Sequence, residues 1–195
     1  MRHSHAPVAI TALIVIATAC TPETEAISTP AATSQPITDS APYLCELVPE
    51  RAFRLVSGAT KPLVEKIEGD KAVGTCKVPD TTPRPLTVWW MREGPGMPLN
   101  HLERLLDDRR NIYTRAGGVV LPSSLGDGMA AYLTHGLLAE QPYRVSAKFR
   151  CGNRERLIDI YLAQTAKGRD AIKDLTDLMR IAQHRYADLH NCDLK

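Results

Sequence analysis

The segment "YRVSAKFRCGNRERLIDIYL", residues 143–162, decides the fold because it specifies a β-hairpin. Its first half alternates apolar and polar residues, which is the period-two pattern of a half-buried strand. The dipeptide Gly152-Asn153 is typical of a two-residue hairpin turn. Folding at this turn predicts that Cys151 lies opposite Arg154, Arg150 opposite Glu155, Ala147 opposite Ile158, Val145 opposite Ile160 and Tyr143 opposite Leu162. In this register the apolar partners share one face, and Arg150 lies opposite an acid, which favours the pairing.

An amphipathic helix follows at residues 168–190, where apolar residues recur every three or four positions. The helix is about 33 Å long, and the strand that precedes it is about 27 Å long. A helix that returns antiparallel over this strand ends at the hairpin tip, so Cys192 arrives near Cys151. Cys45 and Cys76 then pair by elimination. The sequence therefore predicts two disulfides, as expected for an exported domain with four cysteines.

The remaining segments add two helices and several strands. They are a helix at 49–58, strands at 71–78 and 85–92, a helix at 99–118 and a segment at 129–139 that begins with a strand. Within the second helix, Asn100 and Glu103 are predicted to form a capping pair, and the run Asp107–Arg110 is expected to face solvent. Sequential strands with tight turns indicate an antiparallel sheet, and helices must cover at least one of its faces. We therefore expect one α+β domain at 43–195, with about five strands, three helices and two disulfides.

The N-terminal region predicts export and a membrane anchor. The segment "VAITALIVIATA" precedes Cys20 and is shorter than the roughly 20 residues that span a bilayer, so it fits the apolar part of a signal peptide. "ATAC" resembles the lipobox of bacterial lipoproteins, which predicts a signal peptide at 1–19 and lipidation of Cys20. The alternative is ordinary secretion with cleavage elsewhere. Residues 20–42 are rich in Thr, Pro, Ser and Ala, and this composition predicts a disordered tether.

Composition and motifs argue against several classes of function. A formal net charge of +2 does not indicate a dedicated nucleic-acid binder. The sequence contains no G-x-S-x-G, no H-E-x-x-H and no glycine-rich phosphate loop. His190 and Cys192 are too few for a metal site, and Cys192 is better explained by a disulfide. We therefore expect no catalysis, no cofactor and no metal, with a hydrolase that uses Asp127 and His135 as an alternative.

One face of the sheet is a candidate binding surface. Successive side chains of a strand point to opposite faces, so Trp90 is expected in the core and Trp89 on the other side. Trp89 would share that side with Arg144, Lys148 and Tyr161. A tryptophan among basic residues suits an envelope glycan, an anionic lipid head group or a partner protein. The alternative is that the first helix covers this face and produces a three-layer sandwich.

Several stretches together resemble a known family. They are the lipobox and tether, "LCELVPERAFRLVSG" at 44–58, "GTCKV" at 74–78, "LGDGMAAY" at 125–132 and the basic hairpin with its cysteine. In these features the chain resembles actinobacterial exported lipoproteins that carry domain of unknown function 3558. It is also similar in general appearance to extracellular sensor domains of mycobacterial-type receptor kinases. The resemblance implies an extracytoplasmic α+β domain with disulfides, and it implies no catalytic residue.

These observations predict a cell-surface lipoprotein held in the membrane by lipidated Cys20. Its domain is expected to bind a ligand or a partner protein in a sensor-like or accessory role, without catalysis. An envelope hydrolase and a lipid carrier are the alternatives. The lipid carrier requires an internal apolar pocket.

Overall fold

A seven-stranded antiparallel sheet forms the centre of the structure, a computed structural model that describes residues 35–78, 84–98, 100–134 and 140–195. These residues fall within one compact unit of the chain. The strands are β1 (Tyr43–Leu44), β2 (Val48–Pro49), β3 (Lys66–Gly69), β4 (Val73–Val78), β5 (Leu86–Arg92), β6 (Val119–Val120), β7 (Asp127–Tyr132), β8 (Tyr143–Cys151) and β9 (Arg154–Leu162). The helices are α1 (Glu50–Ser57), α2 (His101–Arg115) and α3 (Ala171–His190).

The strand order in the large sheet is β3-β4-β5-β9-β8-β7-β6, and β1 pairs with β2 in a separate small sheet. Every neighbouring pair is antiparallel. The predicted α+β class with three helices and two disulfides is confirmed, but the expectation of about five strands is wrong. The additional strands are short, and β3 and β6 at the two edges have only exposed residues. Edge strands of this kind lack the alternation of buried and exposed residues that identifies a strand in a sequence.

The β8–β9 hairpin has the register that the sequence predicts. All five predicted pairs occur, from Cys151 with Arg154 at the tip to Tyr143 with Leu162 at the base. The two strands lie near the middle of the sheet, between β5 and β7. The hairpin therefore supplies the framework on which the other strands and the helices assemble.

Helices cover both faces of the sheet, so the domain has three layers. On one face, α3 and α1 pack on the main core, which contains the inward side chains of β5, β8 and β9, among them Leu86, Val88, Val145, Ile158 and Ile160. On the other face, α2 packs on β7, β8 and β9. Two smaller apolar clusters lie under α2, one around Tyr113 and the other around Leu106 and Leu157.

The ends of the helices follow their local sequences, with one exception. α1 begins after Pro49 and ends at Gly58, which adopts a left-handed conformation with φ 71°. α3 is capped by Asp170, the residue before it, whose carboxylate accepts a hydrogen bond of 3.0 Å from the backbone N–H of Lys173. The predicted capping pair of Asn100 with Glu103 is wrong. Asn100 adopts a left-handed conformation with φ 60° instead of the extended one typical of a capping residue, and its side chain makes no capping hydrogen bond. Glu103 pairs with basic residues.

Both predicted disulfides are present, Cys45–Cys76 and Cys151–Cys192. α3 runs back over the hairpin and brings Cys192 to the hairpin tip, which is the geometry that the element lengths predict. Among the described residues, no helix combines the length and the apolar character that crossing a membrane requires.

The first described residue lies near the beginning of α3. Arg169 donates a hydrogen bond of 3.1 Å to the carbonyl of Gln35 and also pairs with the buried carboxylate of Asp174. The chain then runs along α3 to Tyr43, whose ring lies under the guanidinium of Arg185 at 4.0 Å. A 20-residue helix is about 30 Å long. The C-terminal end of α3 is therefore on the opposite side of the domain from Gln35, and we call it the distal end.

Candidate functional site

A cleft of about 300 Å³ opens at the distal end, between the β1–β2 turn, the β3–β4 hairpin and the last turn of α3. We call it the distal cleft. Its apolar walls are Leu47, Ile67, Trp90 and Leu189, together with Cys45. Its polar lining residues are Glu46, Asp70, Lys71, Tyr186 and His190. Apolar walls with a few polar groups are typical of sites for small ligands.

The β3–β4 hairpin holds Trp90 in place. The carboxylate of Asp70 accepts hydrogen bonds from the backbone N–H groups of Ala72 and Val73 at 2.6 and 3.0 Å, and these bonds lower the pKa of Asp70. The carbonyl of Asp70 in turn accepts a hydrogen bond of 2.8 Å from the indole Nε1 of Trp90. Opposite Trp90 on β4 is Gly74, where a Cβ atom would come within 2.2 Å of the indole ring. The turn and the glycine together fix the indole as one wall.

The Cys45–Cys76 disulfide joins the β1–β2 turn to β4. Cys45 and Glu46 both have positive φ angles, 55° and 58°, and the backbone N–H of Cys45 donates a hydrogen bond to the carboxylate of Glu65. The two sulfur atoms and a carboxylate oxygen of Glu65 lie within 4.8 Å of one another. The sulfur atoms are bonded to each other, so neither offers the thiolate that a metal requires. We therefore interpret this cluster as structural.

The last turn of α3 places two aromatic rings at the cleft. The imidazole of His190 packs on the ring of Tyr186, with 4.0 Å between the ring centroids. Burial, followed by the positive charges of Arg156, Lys71 and Arg92, lowers the pKa of His190. Burial raises the pKa of Tyr186, and the charges of the two arginines act in the opposite direction. These surroundings therefore favour the neutral form of His190.

Two arginines stand side by side next to the cleft. Arg92 on β5 is directly opposite Arg156 on β9, on the face of the sheet that carries Trp90 and Ile158. The guanidinium of Arg156 lies over the ring of Tyr186, 5.9 Å from its centroid. Within the described ranges, neither arginine forms an ion pair within 4.0 Å, and the Nε atoms of both are buried without a hydrogen-bond partner. Like charges directly opposite each other destabilise a sheet, so this pair calls for an explanation.

The four residues predicted as a binding surface share one face, but α2 covers much of it. Trp89 packs against the apolar cluster under α2, and the guanidinium of Arg109 lies 5.4 Å from the centroid of its indole ring. Arg144 is only 9% exposed and lies 4.1 Å over the ring of Tyr161. The three-layer alternative is therefore the one found, although the covering helix is α2 rather than the first helix.

Lys148, the fourth of these residues, is surrounded by acids. Its ammonium group pairs with Glu103, with Glu155 at 3.4 Å and with Asp127 at 4.0 Å. The hydrogen bond from Lys148 is the main cause that lowers the pKa of Glu103. A second, polar cleft of about 360 Å³ adjoins this group. Because the positive charge of Lys148 is already matched by carboxylates, this cleft offers less attraction to an anion than the distal cleft does.

The residues of the hydrolase alternative are only partly described. Asp127 begins β7 with its side chain 63% exposed, and it contacts Arg110 at 3.8 Å as well as Lys148. His135, its predicted partner, lies outside the described residues, as does the lipidation residue Cys20.

Sequence reasoning missed one buried ion pair. Arg109 belongs to a run that was expected to face solvent, yet its guanidinium donates to both oxygens of Asp159, at 2.9 Å and 2.7 Å. Asp159 is fully buried, and the interaction with it raises the pKa of Arg109 against the effect of burial. The expectation holds for Asp107 and Asp108, which are exposed. The sequence does show polar residues alternating along β9, but this pattern does not identify Arg109 as the partner of Asp159.

Comparison with known proteins gives no further guidance on this site. No protein-family model, curated protein or solved structure matches the chain. The resemblance to lipoproteins with domain of unknown function 3558 therefore stays a prediction from the motifs. The function has to be argued from the geometry of the domain.

Proposed function

We propose that this protein is a membrane-anchored, extracytoplasmic lipoprotein whose domain binds a ligand in the distal cleft and catalyses no reaction. The observation that carries the proposal is the cleft itself, where apolar walls stand beside basic groups that have no acidic partner. Fixed apolar surface together with unsatisfied polar groups is typical of a binding site.

A further observation supports an extracytoplasmic domain. The two disulfides favour an oxidising compartment.

The anchor is tested by replacing Cys20. In an actinobacterial host, the wild-type chain should fractionate with the membrane, and its N-terminal peptide should carry a diacylglyceryl mass on Cys20. The Cys20→Ser variant should lack that mass. A wild-type N-terminal peptide without an acyl mass would contradict the lipoprotein proposal.

The binding function is tested by blocking the cleft. Leu189→Glu places a charge on an apolar wall that is 40% exposed, and Val120→Glu makes the same change at an exposed edge strand elsewhere. Both variants should fold as the wild type does, as judged by thermal melts. Retention on a washed envelope preparation should fall for Leu189→Glu and persist for Val120→Glu. Equal retention of both variants would remove the cleft as the binding site.

A further inference from the structure

The arginine pair beside the distal cleft points to the chemistry of the ligand. Arg156 is 6% exposed. Its Nη1 donates a hydrogen bond of 2.9 Å to the carbonyl of Glu155, and its Nε is buried without a partner in the described ranges. Leaving a buried charged donor without a partner costs free energy, and placing a second arginine opposite it adds repulsion. A negatively charged group that binds at this point would remove both costs.

Neighbouring groups increase the positive charge. Lys71 lines the cleft and forms no ion pair in the described part of the chain. The charge of Arg92 acts on three lining residues, Asp70, Tyr186 and His190. Arg92 and Arg156 do not line the cleft themselves, but Arg156 lies over the ring of Tyr186, which does, and Arg92 is directly opposite Arg156.

The negative charges at the cleft are weaker or already engaged. Asp70 is occupied by the backbone N–H groups of its own turn, and Glu46 is exposed to solvent. The carbonyl end of α3 adds about half a negative charge, which is less than the three full charges of Lys71, Arg92 and Arg156. The hydroxyl of Tyr186 is buried, which raises its pKa, and the guanidinium of Arg156 beside it acts in the opposite direction.

The apolar walls define the rest of the ligand. The indole of Trp90 is fixed by its hydrogen bond to Asp70, and Ile67 and Leu189 remain 47% and 40% exposed. Exposed apolar side chains gathered in a concave site favour an apolar group on the ligand. A volume of about 300 Å³ is small, so only part of a long molecule would be enclosed.

We infer that the distal cleft binds an anionic amphiphile, with a phosphate or carboxylate group at Arg92 and Arg156 and an apolar chain or ring against Trp90, Ile67 and Leu189. This inference rests on the proposed binding function and specifies its ligand class. Arginine is the residue that best recognises such oxyanions, because its planar donors match two acceptor oxygens at once. A cleft of about 300 Å³ accommodates part of one such molecule, which favours a ligand delivered as single molecules over a bilayer surface.

The test is a calorimetric titration of the full chain that carries Cys20→Ser, so that no anchor interferes. The probes are monomeric dihexanoylphosphatidylglycerol, dihexanoylglycerol, which has the same chains and no phosphate, and inorganic phosphate. Phosphatidylglycerol vesicles test the bilayer as the source. We expect the monomeric anionic lipid to bind about tenfold or more tightly than the neutral lipid, since a charge-assisted hydrogen bond is worth at least that factor. Phosphate alone should bind more weakly because it lacks the apolar part.

Variants locate the site. The double substitution Arg92→Gln with Arg156→Gln should abolish the preference for the anionic lipid, whereas Arg154→Gln, an exposed arginine of the same hairpin, should retain it. Lys71→Gln changes an exposed position, so this variant should fold as the wild type does and show a weaker preference for the anionic lipid.

Equal affinity for the anionic and neutral lipids, or no binding of either, would overturn the inference. Equal affinity that is lost in Leu189→Glu would overturn the ligand class and leave the binding function standing. Binding to vesicles but not to monomers would contradict delivery as single molecules.

Discussion

Arg109 on α2 and Asp159 on β9 form a bidentate ion pair between the helix and the sheet, although they are 50 residues apart in the sequence. Asp159 is completely buried, and Arg109 also donates a hydrogen bond of 2.8 Å to the carbonyl of Leu105 in its own helix. The pair is therefore the main polar connection that fixes how α2 lies on the sheet.

Removing Arg109 should destabilise the domain strongly. The Arg109→Ala variant leaves the carboxylate of Asp159 buried without its partner, which typically costs about 3–5 kcal/mol. Urea denaturation at neutral pH measures this loss, and the wild-type slope should be retained because the same surface is exposed on unfolding.

A paired substitution provides the control. Arg109→Met with Asp159→Leu removes both charges and should recover most of the lost stability, since an apolar pair of similar size often replaces a buried ion pair at little cost. A loss below about 1 kcal/mol for Arg109→Ala, as found for exposed pairs, would contradict the importance of this contact.

The sequence predicts the hairpin well and this ion pair not at all, for a physical reason. The register of β8 and β9 depends on neighbouring residues, because the turn at Gly152 and the alternation around it are local signals. The pairing of Arg109 with Asp159 depends on where α2 docks, and nothing local in the run Asp107–Arg110 distinguishes the arginine that turns inward.

In the candidate site, too, local features were predicted and contacts between distant segments were not. The disulfide between Cys151 and Cys192 follows from the lengths of α3 and the strand before it, and it is found. The distal cleft was not predicted, because its walls come from the β1–β2 turn, the β3–β4 hairpin and the end of α3. Arg92 and Arg156 become neighbours only when β5 pairs with β9, strands more than 60 residues apart in the chain.

A buried hydrogen bond of Tyr113 also connects α2 to the sheet. Its hydroxyl and that of Ser146 share a hydrogen bond of 2.9 Å, and burial raises the pKa of Tyr113. Tyr113→Phe should cost about 1–2 kcal/mol, because the hydroxyl of Ser146 is then left buried without this partner. Chemical denaturation measures the change. Tyr132→Phe, at a tyrosine that is 47% exposed, should stay within about 0.5 kcal/mol of the wild type. Equal effects of the two substitutions would contradict a specific role for the buried bond.

The two disulfides should stabilise the domain to a similar extent. They close loops with sequence separations of 31 and 41 residues, and the loop-entropy model assigns about 4 kcal/mol to each. Replacing either pair by alanine should therefore lower the free energy of unfolding by comparable amounts. Peptide mapping without reduction should link Cys45 to Cys76 and Cys151 to Cys192. A different linkage, or a loss confined to one pair, would contradict this assignment.

His190 should make the stability of the domain depend on pH. Its imidazole packs on Tyr186 and faces Lys71 from the β3–β4 hairpin, Arg92 from β5 and Arg156 from β9. Two acids line the same cleft, Asp70 from the β3–β4 hairpin and Glu46 from the β1–β2 turn. Burial and the three cations lower the pKa of His190 from its ordinary value of 6.5.

A lowered pKa means that the unfolded chain takes up a proton at a higher pH than the folded domain does. The free energy of unfolding should therefore be constant above the unfolded pKa of 6.5 and fall as the pH is lowered from there towards the folded pKa. His190→Phe keeps the ring on Tyr186 and removes the titration, so this variant should show a flatter stability profile between about pH 5 and about pH 7.5. The matched control is His184→Phe at an exposed position of α3, which should retain the wild-type slope. Urea midpoints across this range measure both profiles. If the His190→Phe profile is as steep as that of the wild type, the protonation that destabilises the domain takes place at another residue. The cations around the distal cleft would then lower the pKa of His190 less than their placement implies.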